Sequence, residues 1–284
     1  MSDLAKKRVA VLGLGIIGSR ACSRLVDAGW QVTCWNRTAK GLVGECTTPE
    51  EAIKNADIIS IYLKDVPAAR QVVERIAPFF VPGQIILNHA TLDFETTLWL
   101  EQVCLTGGCR FLDTPFTGSK VAAANGQLLY YTGGDPELAR ELEGYLKVTG
   151  KGTLHCGGVG SATVVKLATN LISACSVQAM AEALAIATSH GIAADRLIEA
   201  VSLNASGSVL ASMKMPMMAV GDFETHFSLS NMGKDSHYML ALAASAGLQT
   251  PAIAAVSQRM DELITSGLGD ADYSVVGKPY LHKA

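Results

Sequence analysis

The sequence predicts an α/β fold in two parts. An N-terminal doubly wound parallel sheet, residues 1–158, is followed by an all-α C-terminal domain, residues 159–284, the two joined by a long interdomain helix. Three observations predict it. Through the first half, short apolar runs of β type alternate with helical patterns. After Gly160 the alternation stops, and no strand pattern follows as far as about residue 268. At the change of character, residues 161–189 form one apolar helical run, roughly 40 Å long at about 1.5 Å per residue.

In order, RVAVLG (8–13) reads as a buried strand and IIGSRACSRLVDAG as a helix stopped at Gly29. QVTCWN is the next strand, and PEEAIKNA a short helix opened by Pro49. DIISIYL (57–63) and QIILNHA (84–90) are strands, each followed by a helix, AARQVVERIAPFF and ETTLWLEQVCLTGG. RFLDTPF (110–116) and QLLYYTGG (127–134) are strands, and DPELARELEGYLKVTG is a helix capped by Asp135 with Pro136 at its first position. Helical patterns then run over 161–189, stopped by Gly191, and over 195–203, 208–220, 230–246 and 251–266.

Composition narrows the function. With 49% apolar and 17% charged residues in 284, the chain can bury a large core. A net charge of -3 with no Lys/Arg block excludes the electrostatic footprint of a nucleic-acid binder, so the expected partner is a small molecule. The seven cysteines are scattered, odd in number and without a CxxC, which points to a reduced cytoplasmic protein. No His/Cys spacing suits a metal, and the six histidines (89, 155, 190, 226, 237, 282) show no ligand pattern. KKR followed by VAVLGLGII imitates a signal peptide, but no small-residue cleavage site follows. The apolar run 161–189 contains Lys166, Asn170, Gln178 and Glu182, which argues against a membrane span.

VAVLGLGIIGSRA places Gly13, Gly15 and Gly18 in G-x-G-x-x-G spacing between a strand and a helix. Gly13 permits the tight turn, Gly15 the approach of a pyrophosphate, and Gly18 close helix–strand packing. The phosphates would sit over the loop Leu14, Ile16 and Ile17 at the helix N-terminus. NAD-binding versions of this Rossmann turn carry Asp or Glu at the end of the second strand. Here Asn36, Arg37 and Thr38 stand there, with no carboxylate to repel a 2′-phosphate, so NADP(H) is the expected cofactor. Lys166 and Asn170 are spaced i, i+4, so they project from one face of a helix otherwise built to be packed. An ammonium there is costly unless paired, solvated or used.

Together with three further segments, this motif resembles the β-hydroxyacid dehydrogenase family over nearly the whole chain. DTPFTGSKVAAANGQL (113–128) looks like its substrate motif, in the G-S-K form of the glyoxylate/succinic semialdehyde reductase branch. GGVGSATVVKLATN (157–170) is similar to its catalytic stretch and NMGKDSHYML (231–240) to its K-D motif. The resemblance implies an NADPH-dependent reductase that converts a small carboxylate-bearing aldehyde or 2-oxo acid into the hydroxyacid. It implies that Lys166 is the general acid/base and that Asn170 orients lysine or substrate. Thr117, Gly118 and Ser119 would hold the substrate carboxylate, with Thr117 standing where serine is usual. Thr91 would approach nicotinamide and substrate, and Leu63 the cofactor. Lys234 would close over both, beside Asp235, with Phe227 on the substrate side; an ordinary ion pair at the helix start is the rival reading of Lys234.

His89 and Ala90 depart from the family pattern, and the link from NRTAK to TTPEEA is short, which would leave the adenine end more open. Two other readings compete: an NADPH-dependent imine reductase, which Lys166 argues against, and a non-enzymatic NADP(H) sensor, which the near-complete residue set argues against. Low charge in the helical domain, and pairing through it in the family, imply a homodimer or homotetramer.

Overall fold

A computed structural model of the chain describes residues 7–281, so His282 lies outside the described residues. The signal-like stretch begins at Lys6, also outside them, and runs into a strand whose Val9–Leu12 are wholly buried.

The first unit is a sheet flanked by helices. Five strands run parallel: β1 (Arg8–Leu12), β2 (Gln31–Trp35), β3 (Ile58–Ile61), β4 (Ile85–Asn88) and β5 (Arg110–Asp113). β6 (Phe116–Thr117), β7 (Leu128–Gly134) and β8 (Gly150–Gly157) complete it in the order β2-β1-β3-β4-β5-β7-β6, with β8 beside β7. Side chains alternate between two cores: Ala10, Leu12, Ile59, Ile61 and Ile86 face one, Val9, Val11, Ile58, Ile85 and Leu87 the other. Both faces are therefore covered by helices, as near-continuous apolar strands require. Those helices are α1 (Ile16–Asp27), α2 (Pro49–Ile53), α3 (Val66–Ile76), α4 (Phe94–Thr106), α5 (Lys120–Ala124), α6 (Pro136–Glu141) and α7 (Glu143–Thr149). Side chains cap several of these starts: Thr48 and Glu51 form a reciprocal capping box on α2, while Asp65, Asp93 and Asp135 cap α3, α4 and α6.

The sheet is mixed rather than wholly parallel. β7 runs antiparallel to β5 and to β6, so the expected parallel order ends at β5. RFLDTPF is two strands, not one, parted at Thr114–Pro115, where the proline has no N–H for the ladder. β8 was not expected: KGTLHCG is glycine-rich and largely exposed, and it gains strand form by pairing parallel to β7. The expected single helix 135–150 breaks at Leu142 into α6 and α7, and a short helix, α5, forms between two strands where no helix was expected.

The second unit is helical. α8 (Ser161–Ser189) carries the chain from the first unit into it, and α9 (Ala194–Ser202), α10 (Val209–Val220), α11 (Leu229–Ser245) and α12 (Pro251–Leu263) follow. A wide turn at Ile264–Leu268 and a 3-10 helix at Tyr273–Tyr280 end the described chain. Leu167, Ala174, Val177 and Ala181 of α8 join Met215, Met218, Met232, Met239, Ile253 and Met260 in its core. Among the described residues α8 alone is long and apolar enough to cross a membrane, by length and composition, yet these residues are spent on packing within the unit. The two compact units divide between Lys166 and Leu167, inside α8 rather than ahead of it at 158. The first turn of α8 is still tied to the sheet: Asp113 Oδ2 accepts from Thr163 N at 2.9 Å and Thr163 Oγ1 at 2.8 Å.

Candidate active site

At the carboxyl end of β1 the chain turns on Gly13, whose φ of +97° L side chains rarely adopt, and whose N–H donates to Trp35 O at 2.8 Å. A Cβ at Gly13 would collide with Tyr62 O, and one at Gly18 with Gly13 O. A Cβ at Gly15 would meet nothing within 4 Å, and no side chain caps α1 there. The N–H groups of Ile16, Ile17 and Gly18 open a helix and have no helical acceptor. An open glycine at an uncapped helix start, with closed glycines on either side, is a cradle that fits a dinucleotide's phosphates. Leu63, which follows β3, packs on the first core beside Gly13.

Asn36 ties this loop down. Its Oδ1 accepts from Leu14 N at 2.9 Å and its Nδ2 donates to Thr38 O at 2.7 Å. The Leu14 N–H is therefore engaged within the protein. Arg37 and Thr38 are exposed beyond the strand end. A carboxylate that sequence reading missed lies further along the loop. Glu45 accepts from the N–H groups of Lys40, Gly41 and Leu42, at 2.9, 2.6 and 3.1 Å. These bonds, Lys40's foremost, hold its carboxyl below the usual carboxylate range, so this negative charge is already engaged.

Beyond β4, Thr91 is half-buried, while His89 is almost wholly buried. Its Nδ1 lies 2.9 Å from Thr114 O and its Nε2 lies 3.2 Å from Ser60 Oγ, which is itself 2.7 Å from Tyr145 Oη. The imidazole stacks on Tyr62 at 4.4 Å between ring centres. Burial pushes its pKa down to about 4, so at neutral pH the ring is uncharged.

The segment expected to hold a substrate carboxylate forms β6 and the start of α5. Thr117 pairs with Leu129 across the antiparallel ladder. Gly118, at φ +140°, leaves no room for a Cβ against Leu128 and Ala122. Ser119 caps α5, its Oγ accepting from Ala122 N at 3.3 Å, which leaves its O–H proton to donate elsewhere.

α8 presents Lys166 at the end of the first unit, 9% exposed, and Asn170 one turn on in the second, 8% exposed. Within the second unit Asn170 Nδ2 donates to Asp235 Oδ2 at 2.7 Å, and Lys234 Nζ lies 2.7 Å from Asp235 Oδ1. Asp235 is thus the hub of this half, orienting an amide and pairing an ammonium, and Lys234 is an ion-paired residue that also lies over the Tyr238 ring. Phe227 packs edge-on to Tyr273 at 6.1 Å, with its N–H donated to Asp272 Oδ2. Asp272 is anchored by buried Lys214 Nζ at 2.7 Å, a pair 58 residues apart that no spacing rule would reveal. Among the described residues no group of three or more His, Cys, Asp or Glu is placed to hold a metal ion.

Residues 8–160 match the model of the NAD binding domain of 6-phosphogluconate dehydrogenase. Residues 160–280 match that of the NAD-binding domain of NADP-dependent 3-hydroxyisobutyrate dehydrogenase. Glyoxylate/succinic semialdehyde reductase 1 of Arabidopsis thaliana is 31% identical over 94% of this chain and 96% of its own. The chloroplastic reductase 2 of the same plant is 31% identical over 96% of this chain and 79% of its own. Among solved structures, 3-hydroxyisobutyrate dehydrogenase of Mycobacterium tuberculosis, with L-serine, superposes with a TM-score of 0.89 at 22% identity, covering 97% of this chain and 99% of that one.

Proposed function

The chain belongs to the β-hydroxyacid dehydrogenase family, and on that premise we propose that it is an NADPH-dependent reductase of small aldehyde or 2-oxo acids, of the glyoxylate or succinic semialdehyde kind. Membership makes it an NAD(P)-dependent oxidoreductase acting on a CH–OH group. The finer reading rests on one observation above the others. Lys166 and Asn170 stand one turn apart on α8, both nearly buried, with Asn170 held by the Asp235 carboxylate.

The nicotinamide, when bound, supplies the hydride. The chain's own groups do the rest. The start of α1 and the open Gly15 receive the phosphates, and Arg37 can pair a 2′-phosphate while Glu45 is engaged by backbone N–H groups. The hydroxyls of Thr117 and Ser119 donate to a substrate carboxylate. The Lys166 ammonium stabilises negative charge growing on the carbonyl oxygen and gives it a proton from Nζ, leaving a neutral amine to be reprotonated from solvent. Asn170, fixed by Asp235, holds its amide oxygen toward the same helix face and keeps the lysine or substrate from swinging away. Seven cysteines with no disulfide among them support a reducing, cytoplasmic setting.

The test is oxidation of NADPH and of NADH against glyoxylate, succinic semialdehyde, tartronate semialdehyde and a cyclic imine. Lys166→Ala is expected to lower kcat on the aldehyde acid by about 10²–10⁴ while NADPH still binds. Imine turnover that survives the substitution would replace this reading with an imine reductase. NADPH binding without turnover of any carbonyl or imine would favour a sensor.

A further inference from the structure

We propose that His89 is a positioning residue, a buried imidazole of one fixed tautomer that locks the reacting edge of the sheet and so sets the places of Thr91 and of the Thr117–Ser119 turn. The inference rests on the active-site reading above for what these residues do, but not for the geometry. His89 joins three strand ends. Ser60 belongs to β3, His89 follows β4 directly, and Thr114 follows β5 directly. Thr91 lies two residues beyond the imidazole, and Thr117 three residues beyond Thr114.

The hydrogen bonds admit one direction. Thr114 O is a carbonyl and only accepts, so Nδ1 carries the proton. Thr114 Oγ1, 3.0 Å from the same nitrogen, then turns its own proton to Asn88 O at 3.1 Å. Nε2 is left as an acceptor and takes the Ser60 hydroxyl proton, and Ser60 Oγ in turn accepts from Tyr145 Oη. Every donor in this chain has an acceptor. Tyr62 closes the other side: it stacks on the imidazole, its carbonyl is what a Cβ at Gly13 would strike, and its hydroxyl meets Tyr130 Oη at 3.1 Å. The imidazole therefore touches the backbone of the substrate strand and the ring that backs the cofactor turn. A buried apolar residue would fill the space without fixing either. The carbonyl that it bonds, Thr114 O, lies within the 113–128 segment, three residues ahead of Thr117.

Three proteins test this: His89→Leu, which removes both bonds; His89→Asn, whose amide N–H replaces Nδ1–H toward Thr114; and the wild type. Amide hydrogen exchange reads position without needing any substrate. In His89→Leu, exchange at residues 90–92 and 116–120 is expected to rise about tenfold while β1 and β2 stay protected, and in His89→Asn to remain near wild type. With an aldehyde acid, kcat is expected to fall about tenfold to a hundredfold in His89→Leu, with NADPH affinity held. In His89→Asn it should recover to within about fivefold of wild type. Nitrogen-15 spectra of the wild type should show a neutral ring protonated at Nδ1. A ring protonated at Nε2 overturns the proposal, as does unchanged exchange in His89→Leu or equal loss of position in both variants. If His89→Leu does not fold, the asparagine variant and the spectrum decide. A wild type that turns over no carbonyl acid refutes the active-site reading alone, since the exchange and the tautomer are still measured.

Discussion

Two buried groups, His89 and Asp113, give folding opposite responses to acid. His89 has an ordinary pKa of 6.5 and is held at about 4 by burial. As pH falls through that interval the unfolded chain takes a proton that the folded one refuses. His89 therefore withdraws about 3 kcal/mol of stability, present above pH 6.5 and lost by pH 4. Asp113 is raised by burial from 3.8 to about 6, so between those values it is the folded chain that takes the proton first. Its contribution rises by about 3 kcal/mol as pH falls from 6 to 3.8, nearly offsetting the histidine. Asp113→Asn should therefore unmask the histidine, and its urea midpoint should fall more steeply than wild type between pH 6.5 and 4. A parallel fall in the two proteins would mean that one of the two assignments is wrong. At this scale the glycines, Lys166 and Asn170 were legible because each is defined by spacing along one turn or one helix. His89 drew notice only as a departure from pattern. Its partners Ser60 and Thr114 lie 29 and 25 residues from it, Tyr145 lies 85 residues from Ser60, and no local signal joins them.

Element by element, what reads cleanly is what is decided locally. The caps of α2, α3, α4 and α6 are written in their own four residues, and the apolar runs of β1, β3 and β4 need only burial. Direction and pairing are not local. Nothing in QLLYYTGG says that it will run antiparallel to β5, and nothing in KGTLHCG says strand until Leu128–Gly133 offers a ladder. The start of α8 is a third case. Ser161 opens the helix, but it is Asp113, 50 residues earlier, that accepts from the Thr163 N–H and hydroxyl. The end of β5 thus sets where the helix bearing Lys166 begins. Asp113→Ala would leave the Thr163 N–H unpaired, while its hydroxyl keeps Thr97 Oγ1 at 3.1 Å, at a cost of about 1–3 kcal/mol. kcat is expected to fall more than the folded fraction, as measured by activity per folded molecule against circular dichroism.

Across the whole molecule, two features need the fold. The buried Lys214–Asp272 pair joins α10 to the last 3-10 helix, and Asp272 also accepts from the backbone of His226 and Phe227, so one carboxylate holds the loop that opens α11. Burial alone would raise the Asp272 pKa, but the Lys214 bond and charge hold it below its usual value. Lys214→Ala, which leaves that carboxylate buried and unpaired, should cost about 3–5 kcal/mol in thermal or urea unfolding. Lys214→Met combined with Asp272→Asn should cost less, because no lone charge is left behind. The helical unit also leaves Ile172 and Ile186 of α8 63% exposed and Val220 of α10 79% exposed. Apolar surface of this kind is expected to be covered by a second copy, so light scattering should give a dimer or tetramer, and Ile172→Glu with Ile186→Glu should lower its mass.

By itself the sequence determined the two-part α/β plan, the glycine cradle and the helix face bearing Lys166 and Asn170. Each depends on residues within one turn, strand or helix of one another, where spacing and burial suffice. The tertiary structure decided the antiparallel turn of the sheet at β7, the strand β8, the Asp113 hold on α8, the Asp235 hub and the His89 lock. In each of these the decisive bond joins atoms far apart along the chain, and a buried donor finds its acceptor only once the strands and helices have packed.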